Sequence, residues 1–472
     1  MRIYNKLYID GQWVTPNGSG TNDVVSPSTL QVVATVPYGD ATDVDSAVKA
    51  ARAAFDSWSA TPTDVRAKYL RAIADEMQKR LADFEDTMVE ELGMPIALAD
   101  DWQISGPIAA CRDYADRAAF MDKTEEVDNV LIVKEAVGVC AFINPWNYPL
   151  HQMIGKMAPA LAAGCTMVVK ASSQTPSHAF ILAEVIEAVG LPAGVFNLVH
   201  GSGRVMGESM CSHPDVDMVS FTGSTSAGIK IAEAAAPTVK RVCQELGGKS
   251  PYIITEDADL EKAVIYGVED VMVNTGQTCT ALTRMLVPRS RYEDAVQIAK
   301  THAESLIVGD PADSKSYMGP MSSQGQRETV LDYINKGVAE GARLVTGGTD
   351  LPEGIESGAY VRPTIFADVS NDMVIAQEEI FGPVMAMIPY DTVDEAVAMA
   401  NDTIYGLSSG VYAKDKAAAI TIARRIRAGQ CYTNGGGFSY QAPFGGFKQS
   451  GNGREWGDEG MGEFMETKSI LL

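Results

Sequence analysis

The residues that first raise a chemical question are those around Cys279. The stretch NTGQTCTA, residues 274–281, places this cysteine between two threonines shortly after a glycine. A thiol in such a loop is either a nucleophile or a small buried hydrophobic residue, and the buried residue is the commoner case. The loop alone leaves both interpretations open, so its chemical surroundings have to decide between them.

Metal and disulfide chemistry are not indicated. An odd total of seven cysteines in a chain this long argues against a disulfide framework, and the five histidines form no Cys/His cluster with metal-ligand spacing. The sequence therefore predicts no metal site. The other cysteines, none of them in CxxC spacing, are Cys111, Cys140, Cys165, Cys211, Cys243 and Cys431.

A second group of residues suits phosphate. In FTGSTSAG, residues 221–228, Gly223 and Ser224 lie at a strand-to-helix turn, where backbone amides and the helix dipole favour an anionic oxygen. The segment 201–207 is a weaker candidate, because the pattern GxGxxG requires glycine where Met206 stands. An ordinary capped helix explains FTGSTSAG equally well, so these residues alone do not establish a nucleotide site.

A serine nucleophile is a third possibility, because GLSSG, residues 406–410, satisfies the pattern GxSxG with Ser408 at its centre. A nucleophile elbow requires an apolar strand before the serine and a helix after it. Here NDTIYG precedes the serine and GVYA, which has the character of a strand, follows it. The context therefore disfavours a serine hydrolase.

Charge and length limit the class of protein. The chain has 472 residues, enough for two or three domains, and a net charge of −23 spread along its length, which makes nucleic acid and anionic membranes poor partners. No apolar run approaches the roughly 18 residues of a membrane-spanning helix. The N-terminal stretch MRIYNKLYIDGQW lacks the basic start and apolar run of a signal peptide. We expect a cytoplasmic protein.

Short apolar runs alternate with amphipathic segments, which is typical of α/β proteins. Helices are predicted over 43–58, with Asp43 as the cap, and over 64–92, ending at Gly93. Strands followed by crossover helices, as at 177–189 and 204–211, are predicted at 137–143, 165–170, 195–199 and 217–223. A second series begins near 251 and includes 285–288, 384–388 and 410–412. The pattern predicts two α/β domains with parallel sheets.

A set of motifs joins these separate signals. The sequence resembles the NAD(P)-dependent aldehyde dehydrogenase superfamily from YIDGQW near the N-terminus to GEFMETKSI near the C-terminus. The motifs occur in the order and at the spacing of that family: PWNYP (145–149), VVKASSQTP (168–176), FTGSTSAG (221–228), ELGGKSP (245–251), GQTCTA (276–281), QEEIFGPV (377–384) and PFGGFKQSGNGRE (443–455). Chance agreement of this many ordered motifs is negligible.

The resemblance implies a role for each catalytic candidate. Cys279 matches the family nucleophile, and Asn147 matches the residue that binds the oxyanion together with the backbone N–H of Cys279. Glu245 matches the general base that activates water against the thioester. Lys156 and Glu455 match positions near the proton path, although each is equally explained as an ion-pair residue. Passing the acyl group to coenzyme A instead of water remains an alternative that shares fold and nucleophile.

The resemblance also implies a dinucleotide site. Its residues are Trp146, Lys170, Gly223, Ser224, Glu379 and Phe381, with Glu379 at the nicotinamide ribose and Ser224 near the pyrophosphate. Many NAD-preferring members have a glutamate three residues after the lysine, where this sequence has Ser173. Without that carboxylate nothing repels a 2′-phosphate, so we expect NADP to be accepted, and the preference between NAD and NADP stays open.

For the substrate, helical spacing places Tyr148, Gln152 and Gly155 on one face, and the resemblance adds Phe438 and Phe444 as channel-lining residues. Gly155 predicts space, Gln152 and His151 predict some polarity, and no arginine is placed to bind a carboxylate. We expect an aldehyde of medium size.

Assembly is the last expectation. The segments 129–135 and 463–472 both look like strands whose exposed edges would favour aggregation. In the family that the sequence resembles, matching segments pack against a neighbouring subunit, so we expect a homodimer or homotetramer. The expected domains are a Rossmann-like dinucleotide-binding domain (1–118 and 138–246), an α/β catalytic domain (247–446) and a small β oligomerisation extension (119–137 and 447–472).

Overall fold

A computed structural model describes residues 1–472. Its strands are β1 (Arg2–Ile3), β2 (Leu7–Ile9), β3 (Gln12–Val14), β4 (Thr21–Val25), β5 (Val32–Pro37), β6 (Glu125–Val127), β7 (Val130–Ala136), β8 (Val139–Ile143), β9 (Thr166–Lys170), β10 (Phe196–Val199), β11 (Met218–Thr222), β12 (Arg241–Glu245), β13 (Pro251–Ile254), β14 (Arg284–Pro288), β15 (Arg343–Thr346), β16 (Thr364–Ala367), β17 (Val384–Tyr390), β18 (Gly410–Tyr412), β19 (Tyr432–Thr433), β20 (Gly451–Asn452) and β21 (Met465–Leu471). Its α-helices are α1 (Ala41–Ser59), α2 (Thr63–Lys79), α3 (Leu81–Thr87), α4 (Ile96–Asp100), α5 (Gly106–Arg117), α6 (Pro149–Ala163), α7 (Ser177–Val189), α8 (Gly203–Ser212), α9 (Thr225–Ala235), α10 (Leu260–Met272), α11 (Tyr292–Ser305), α12 (Gln324–Ala339), α13 (Val374–Gln377), α14 (Val393–Asn401), α15 (Lys416–Ala423) and α16 (Gly457–Gly462).

The first domain is built on one mostly parallel sheet of eight strands, in the order β20-β12-β11-β8-β9-β10-β2-β3. All four strands predicted for this domain are present, and β8 pairs in parallel with both β9 and β11. Helices α2, α5, α6 and α7 bury one face of the sheet, whereas α1, α8 and α9 bury the other. Because both faces are covered, the central strands read as continuous apolar runs in the sequence.

Two helix predictions for this domain need correction. The first helix begins earlier than expected because Asp40 is its N-cap, and Asp43 is the N3 residue whose side chain closes the capping box. The helix expected over 64–92 is interrupted at Arg80, which has φ −104° and ψ 16° between α2 and α3, and it ends in a π-helical turn over 88–92. Gly93, with φ 77°, ends it as predicted.

The second domain has its own sheet, in the order β15-β16-β17-β14-β13-β18-β19. The strands predicted near 251 and at 285–288, 384–388 and 410–412 are β13, β14, β17 and β18, and they pair in parallel. Helices α10 and α11 bury one face, and α12, α14 and α15 bury the other. Both domains therefore have the α/β organisation that the sequence predicted.

A third, smaller sheet, β21-β7-β6, includes the two segments 129–135 and 463–472. The C-terminal strand pairs antiparallel with β7 of the same chain, from Met465 opposite Ala136 to Leu471 opposite Val130. Its outer edge has no partner strand. The oligomerisation extension was predicted to start again at residue 447. In the structure β20 still pairs with β12 of the first sheet, so the small sheet begins later in the chain.

Candidate active site

Four parallel strands of the first domain end at the same edge of the sheet, and each leads into a predicted site residue. Asn147 follows β8 and Lys170 ends β9, whereas Gly223 follows β11 and Glu245 ends β12. The carboxyl edge of such a sheet is where ligands bind in doubly wound α/β domains. Parallel pairing therefore gathers residues that lie up to a hundred positions apart.

The loop that carries Cys279 has a strained backbone before it. Asn274 and Thr275 both have left-handed dihedrals, with φ 49° and 57°, and such conformations persist only where the surroundings hold them. The Asn274 side-chain amide donates to the backbone oxygen of Asn147 (3.0 Å), and the Thr275 hydroxyl donates to that of Gly319 (3.0 Å). These bonds fix Cys279 at the boundary between the two domains.

Asn147 lies directly beside this loop. Its side-chain Nδ2 donates one hydrogen bond to the backbone oxygen of Gln277 at 3.0 Å. An amide NH₂ group has two N–H donors, so the second remains available for an oxygen atom placed next to Cys279. Asn147 is buried, which makes such a donor stronger than it would be in water.

The acid–base state of Cys279 is set by its surroundings. Burial, and then the charges of Glu379 and Glu245, raise the pKa of the Cys279 thiol above its usual value. The protein alone therefore holds the residue as a thiol. Its conversion to a thiolate requires a base close by or a positive charge added to the cavity.

Glu245 has the properties of a general base. Burial first, and then repulsion from Glu455, raise its pKa well above the usual value, against the opposing effect of Lys156. Its buried Oε2 atom has no hydrogen-bond partner. A carboxylate with a raised pKa and a free oxygen can take a proton near neutral pH.

Lys156 and Glu455 are brought together as a buried ion pair, with Nζ and Oε1 2.7 Å apart. The Lys156 ammonium also donates to the hydroxyl of Thr222, the last residue of β11, at 2.7 Å. Both side chains are less than one-tenth exposed. The structure thus places the pair within electrostatic reach of Glu245.

A cavity of about 290 Å³ unites most of these groups. Its lining includes Asn147, Gln152, Glu245 and Cys279 as well as the predicted cofactor residues Trp146, Gly223, Ser224, Glu379 and Phe381. Ser224 is the N-cap of α9, and its hydroxyl accepts a hydrogen bond from the Ala227 amide at 3.3 Å. Backbone amides at this helix start are suited to a pyrophosphate.

Glu379 and Phe381 are two of the cavity residues that the resemblance assigns to the dinucleotide. The Glu379 carboxylate accepts a bond from the Gly248 amide at 2.9 Å, and burial raises its pKa to about 7. Phe381 has a left-handed backbone, with φ 57°, and packs edge-on against Trp146 with ring centroids 5.4 Å apart. A carboxylate for ribose hydroxyls and a wall of aromatic rings fit the group expected here.

Lys170 and Ser173 do not line this cavity. Burial lowers the pKa of Lys170 to about 8, and its ammonium donates only to the backbone oxygen of Ala171 at 2.9 Å. Ser173 is half-buried, and its backbone oxygen accepts a bond from Asn22 at 2.7 Å. A buried lysine without a carboxylate partner leaves this edge of the sheet able to take an anion or hydroxyls.

Sequence reasoning missed a second cleft, of about 670 Å³, between α8 and α9. Its lining is largely apolar and includes Ile143, Gly207, Phe221, Ala227 and Ile231. A Cβ at Gly207 would meet only Ile143, at 4.0 Å, so the glycine leaves open space. The weak glycine pattern over 201–207 was the available signal for this cleft.

Of the predicted substrate residues, Tyr148 contacts the loop that carries Cys279. Its hydroxyl shares a hydrogen bond of 2.8 Å with that of Thr278, the residue before Cys279. Phe438 and Phe444 pack together with ring centroids 6.1 Å apart. Gln152 lines the cavity as expected.

The space predicted at Gly155 is absent. A Cβ there would lie 2.7 Å from Cζ2 of Trp456, so an indole ring fills the gap. Sequence reasoning missed Trp456 because it follows Glu455 outside any motif core, and only the fold brings it against α6. The interpretation of Gly155 as room for substrate is therefore wrong.

Ser408 is buried in the turn before β18, and its hydroxyl has no hydrogen-bond partner. A strand follows it where a nucleophile elbow requires a helix, so it lacks the setting of a hydrolase nucleophile. No group of three or more His, Cys, Asp or Glu side chains is arranged to hold a metal ion. None of the helices combines the length and apolar character needed to cross a membrane.

Comparison with known proteins agrees with this geometry. Residues 13–470 match the profile of the Aldehyde dehydrogenase family. A 3-succinoylsemialdehyde-pyridine dehydrogenase from Pseudomonas sp. is 46% identical over 472 residues, which cover 100% of this chain and 99% of the relative. A mutant aldehyde dehydrogenase C from Pseudomonas syringae, solved with NAD+ and octanal, is 47% identical with TM-score 0.98, over 99% of this chain and 96% of that chain. An aldehyde dehydrogenase from Mycobacterium tuberculosis, solved with NAD+, is 42% identical with TM-score 0.97, over 100% of this chain and 98% of that chain.

The chain belongs to the aldehyde dehydrogenase family, and it is an enzyme. The predicted fold class is confirmed: a Rossmann-like α/β domain, a second α/β domain and a small β extension, as in the solved relatives.

Proposed function

We propose that this enzyme oxidises an aldehyde to a carboxylic acid with NAD or NADP, through a covalent adduct on Cys279 that water hydrolyses. The observation that carries the proposal is the single cavity in which Cys279, Asn147 and Glu245 meet the residues expected to hold a dinucleotide. The solved relatives with NAD+ support the cofactor class.

Each residue has a step that its position suits. A positive charge added by a bound dinucleotide would favour the Cys279 thiolate, so the thiol proton passes to solvent and the sulfur of Cys279 adds to the aldehyde carbon to form a thiohemiacetal. The free N–H of Asn147 and the backbone N–H of Cys279 stabilise the oxyanion. When the dinucleotide is bound, it accepts the hydride. The resulting thioester is attacked by water that Glu245 deprotonates, and the acid leaves as the thiol reforms.

Water is favoured over coenzyme A as the acyl acceptor. Glu245 is buried next to Cys279 with an oxygen that bonds to nothing else, which is the arrangement a general base for water needs. The test is to follow reduced dinucleotide and carboxylic acid together, with and without coenzyme A. Equal amounts of both products without coenzyme A are expected. Strict dependence on coenzyme A would contradict hydrolysis.

The aldehyde is proposed to be uncharged and of medium size. No lysine or arginine lines the cavity, so nothing there would bind the charge of a carboxylate aldehyde. Burial lowers the pKa of His151 to about 3, so it adds no positive charge. Two relatives support this class: one is named 3-succinoylsemialdehyde-pyridine dehydrogenase, and the other was solved with octanal. A panel of aliphatic, aromatic, amino and carboxylate aldehydes tests it.

The cofactor preference leads to a prediction at Ser173. We expect measurable NADP turnover by the wild type, because no carboxylate repels a 2′-phosphate near Lys170. Ser173→Glu restores that repulsion and is expected to shift the ratio of kcat/KM towards NAD by about 1–3 kcal/mol. Ser46→Glu, which adds the same charge on exposed α1, is the control and leaves the ratio unchanged. A wild type that does not turn over NADP would refute this interpretation of Ser173.

The small sheet is proposed to join subunits into a homodimer or homotetramer. The tail leaves Ile470, Leu471 and Leu472 exposed by 41%, 81% and 71%, beside an unpaired strand edge. Seven free thiols suit a reducing compartment, which supports the cytoplasm as location.

The assembly prediction concerns residues 466–472. Their removal is expected to give monomers. It is also expected to lower activity, because the segment that leads into this strand carries Glu455, the partner of Lys156. The cut spares Phe464, which packs edge-on against Phe142 in the core, with ring centroids 5.8 Å apart. Val239→Asp changes an apolar residue that is 91% exposed elsewhere and serves as the control. An active wild-type monomer in sedimentation at micromolar concentration would exclude the proposal.

A further inference from the structure

Gly155 lies in the interior of a buried helix, where glycine is less favourable than alanine unless packing requires it. The packing reason is Trp456. A Cβ at position 155 would lie 2.7 Å from Cζ2 and 3.1 Å from Cη2 of the indole. The edge of the ring therefore rests on the backbone of α6, in the space that any side chain at position 155 would take.

The backbone of Trp456 is adapted to this contact. Its dihedrals, φ 62° and ψ 163°, lie in a region that residues other than glycine rarely adopt. The Gly460 amide donates to the Trp456 oxygen at 2.9 Å, and Glu455 exchanges two backbone bonds of 2.7 Å with Phe444. The backbone therefore directs the side chain of Glu455 towards Lys156 and that of Trp456 towards Gly155.

The indole supports a group of other rings. Its centroid lies 4.9 Å from His151, 4.9 Å from Tyr440 and 6.3 Å from Phe438. Trp456 is only 1% exposed, whereas the three other rings are half-buried. The Tyr440 hydroxyl and His151 Nδ1 are 3.2 Å apart, which ties two of these rings together. Trp456 therefore lies behind His151, Phe438 and Tyr440, which together form a wall of rings.

Tyr148 connects this wall to the Cys279 loop, because its ring centroid lies 6.1 Å from that of His151 and its hydroxyl shares a hydrogen bond of 2.8 Å with Thr278. His151 is adjacent in sequence to Gln152, which lines the cavity with Cys279. Cys279 and Phe438 pack against the same hydrophobic cluster that contains Trp456.

We propose that Trp456 is a specificity-determining residue that limits the width of the aldehyde by holding His151 and Phe438 forward. The proposal rests on the proposed function, because it requires that aldehydes reach Cys279 past this wall. It assigns unbranched, uncharged aldehydes as the favoured class and excludes those with a wide ring attached to the carbonyl carbon.

The test compares two aldehydes of seven carbons, heptanal and cyclohexanecarbaldehyde, which differ mainly in width beside the carbonyl. Trp456→Ala is expected to raise the ratio of kcat/KM for the cyclic over the linear aldehyde by about tenfold or more, the scale on which apolar pockets discriminate. The change is expected mainly in the KM for the cyclic aldehyde. Trp456→Leu, a milder truncation, is expected to shift the ratio in the same direction and serves if the alanine variant does not fold.

Two further variants separate specificity from stability. Adding Gly155→Leu to Trp456→Ala refills the gap from the helix side and is expected to return the ratio towards the wild-type value. Trp58→Ala removes another indole that is 1% exposed, packed against Tyr69 with ring centroids 5.8 Å apart, and is expected to leave the ratio unchanged.

A ratio within twofold of wild type in active, folded Trp456 variants would overturn the proposal, as would an equal shift in Trp58→Ala. Failure of the wild type to oxidise any aldehyde of the panel would overturn the proposed function, whereas oxidation of other aldehydes but of neither of these two would overturn this inference alone.

Discussion

Cys279→Ala is expected to abolish aldehyde oxidation while dinucleotide affinity stays within a few fold of wild type. Cys279 carries the only thiol among the residues that line the cavity, whereas the residues proposed to hold the dinucleotide are others in the same lining. Steady-state formation of reduced dinucleotide measures the first effect, and quenching of intrinsic fluorescence by the dinucleotide measures the second.

Cys431→Ala is the matched control, because Cys431 is the one other cysteine that is not fully buried. Its removal is expected to leave kcat/KM nearly unchanged. Near wild-type turnover by Cys279→Ala would refute the nucleophile assignment, and loss of dinucleotide binding would indicate that the change had damaged the cavity itself.

Glu245→Gln is expected to slow steady-state turnover by about 10²-fold or more, because hydrolysis of the thioester loses its general base. Glutamine keeps the shape of the side chain and cannot accept the proton of water. A burst of reduced dinucleotide equal to the number of active sites is expected before the slow phase. Rapid mixing with excess aldehyde measures both phases.

Hydroxylamine provides a sharper test of the same step. It attacks a thioester without help from a base, releasing a hydroxamate and the free thiol, so it is expected to restore turnover of Glu245→Gln and to affect the wild type little. Turnover of the variant at the wild-type rate without hydroxylamine would contradict the assignment. Absence of a burst would place the loss before hydride transfer.

The pH dependence follows from the direction of the Glu245 shift. The residue acts as a base only when deprotonated, and burial together with Glu455 raises its pKa well above the usual value. Wild-type kcat is therefore expected to fall as the pH decreases through the raised pKa. The hydroxylamine-supported rate of Glu245→Gln is expected to lack this decrease.

Motifs with a local physical cause were read correctly from the sequence. The apolar runs before Asn147 and Lys170 became the adjacent parallel strands β8 and β9, because strands buried on both faces have no alternative to an apolar composition. Their carboxyl ends then had to share one edge of the sheet. That these residues belong to one site was implied by the resemblance to the aldehyde dehydrogenases.

Features set by contacts between distant segments were read incorrectly. Asp43 was predicted to be the N-cap of the first helix. The N-cap is Asp40, and Asp43 is the N3 residue that completes the capping box. The helix over 64–92 broke at Arg80, where its amphipathic pattern gave no sign of a break. The boundary at 447 moved because β20 pairs with β12, and such a two-residue strand has no signature of its own.

The sequence by itself determined the fold class, the family and the chemical groups of the site, since residue types, hydrophobic period and ordered motifs are local properties of the chain. Only the tertiary structure decided how those groups act on one another. The pKa shifts of Cys279 and Glu245 arise from burial and from charges on other segments. The indole of Trp456 occupies the space above Gly155 because packing joins two segments 301 residues apart, and no property of either segment alone encodes that contact.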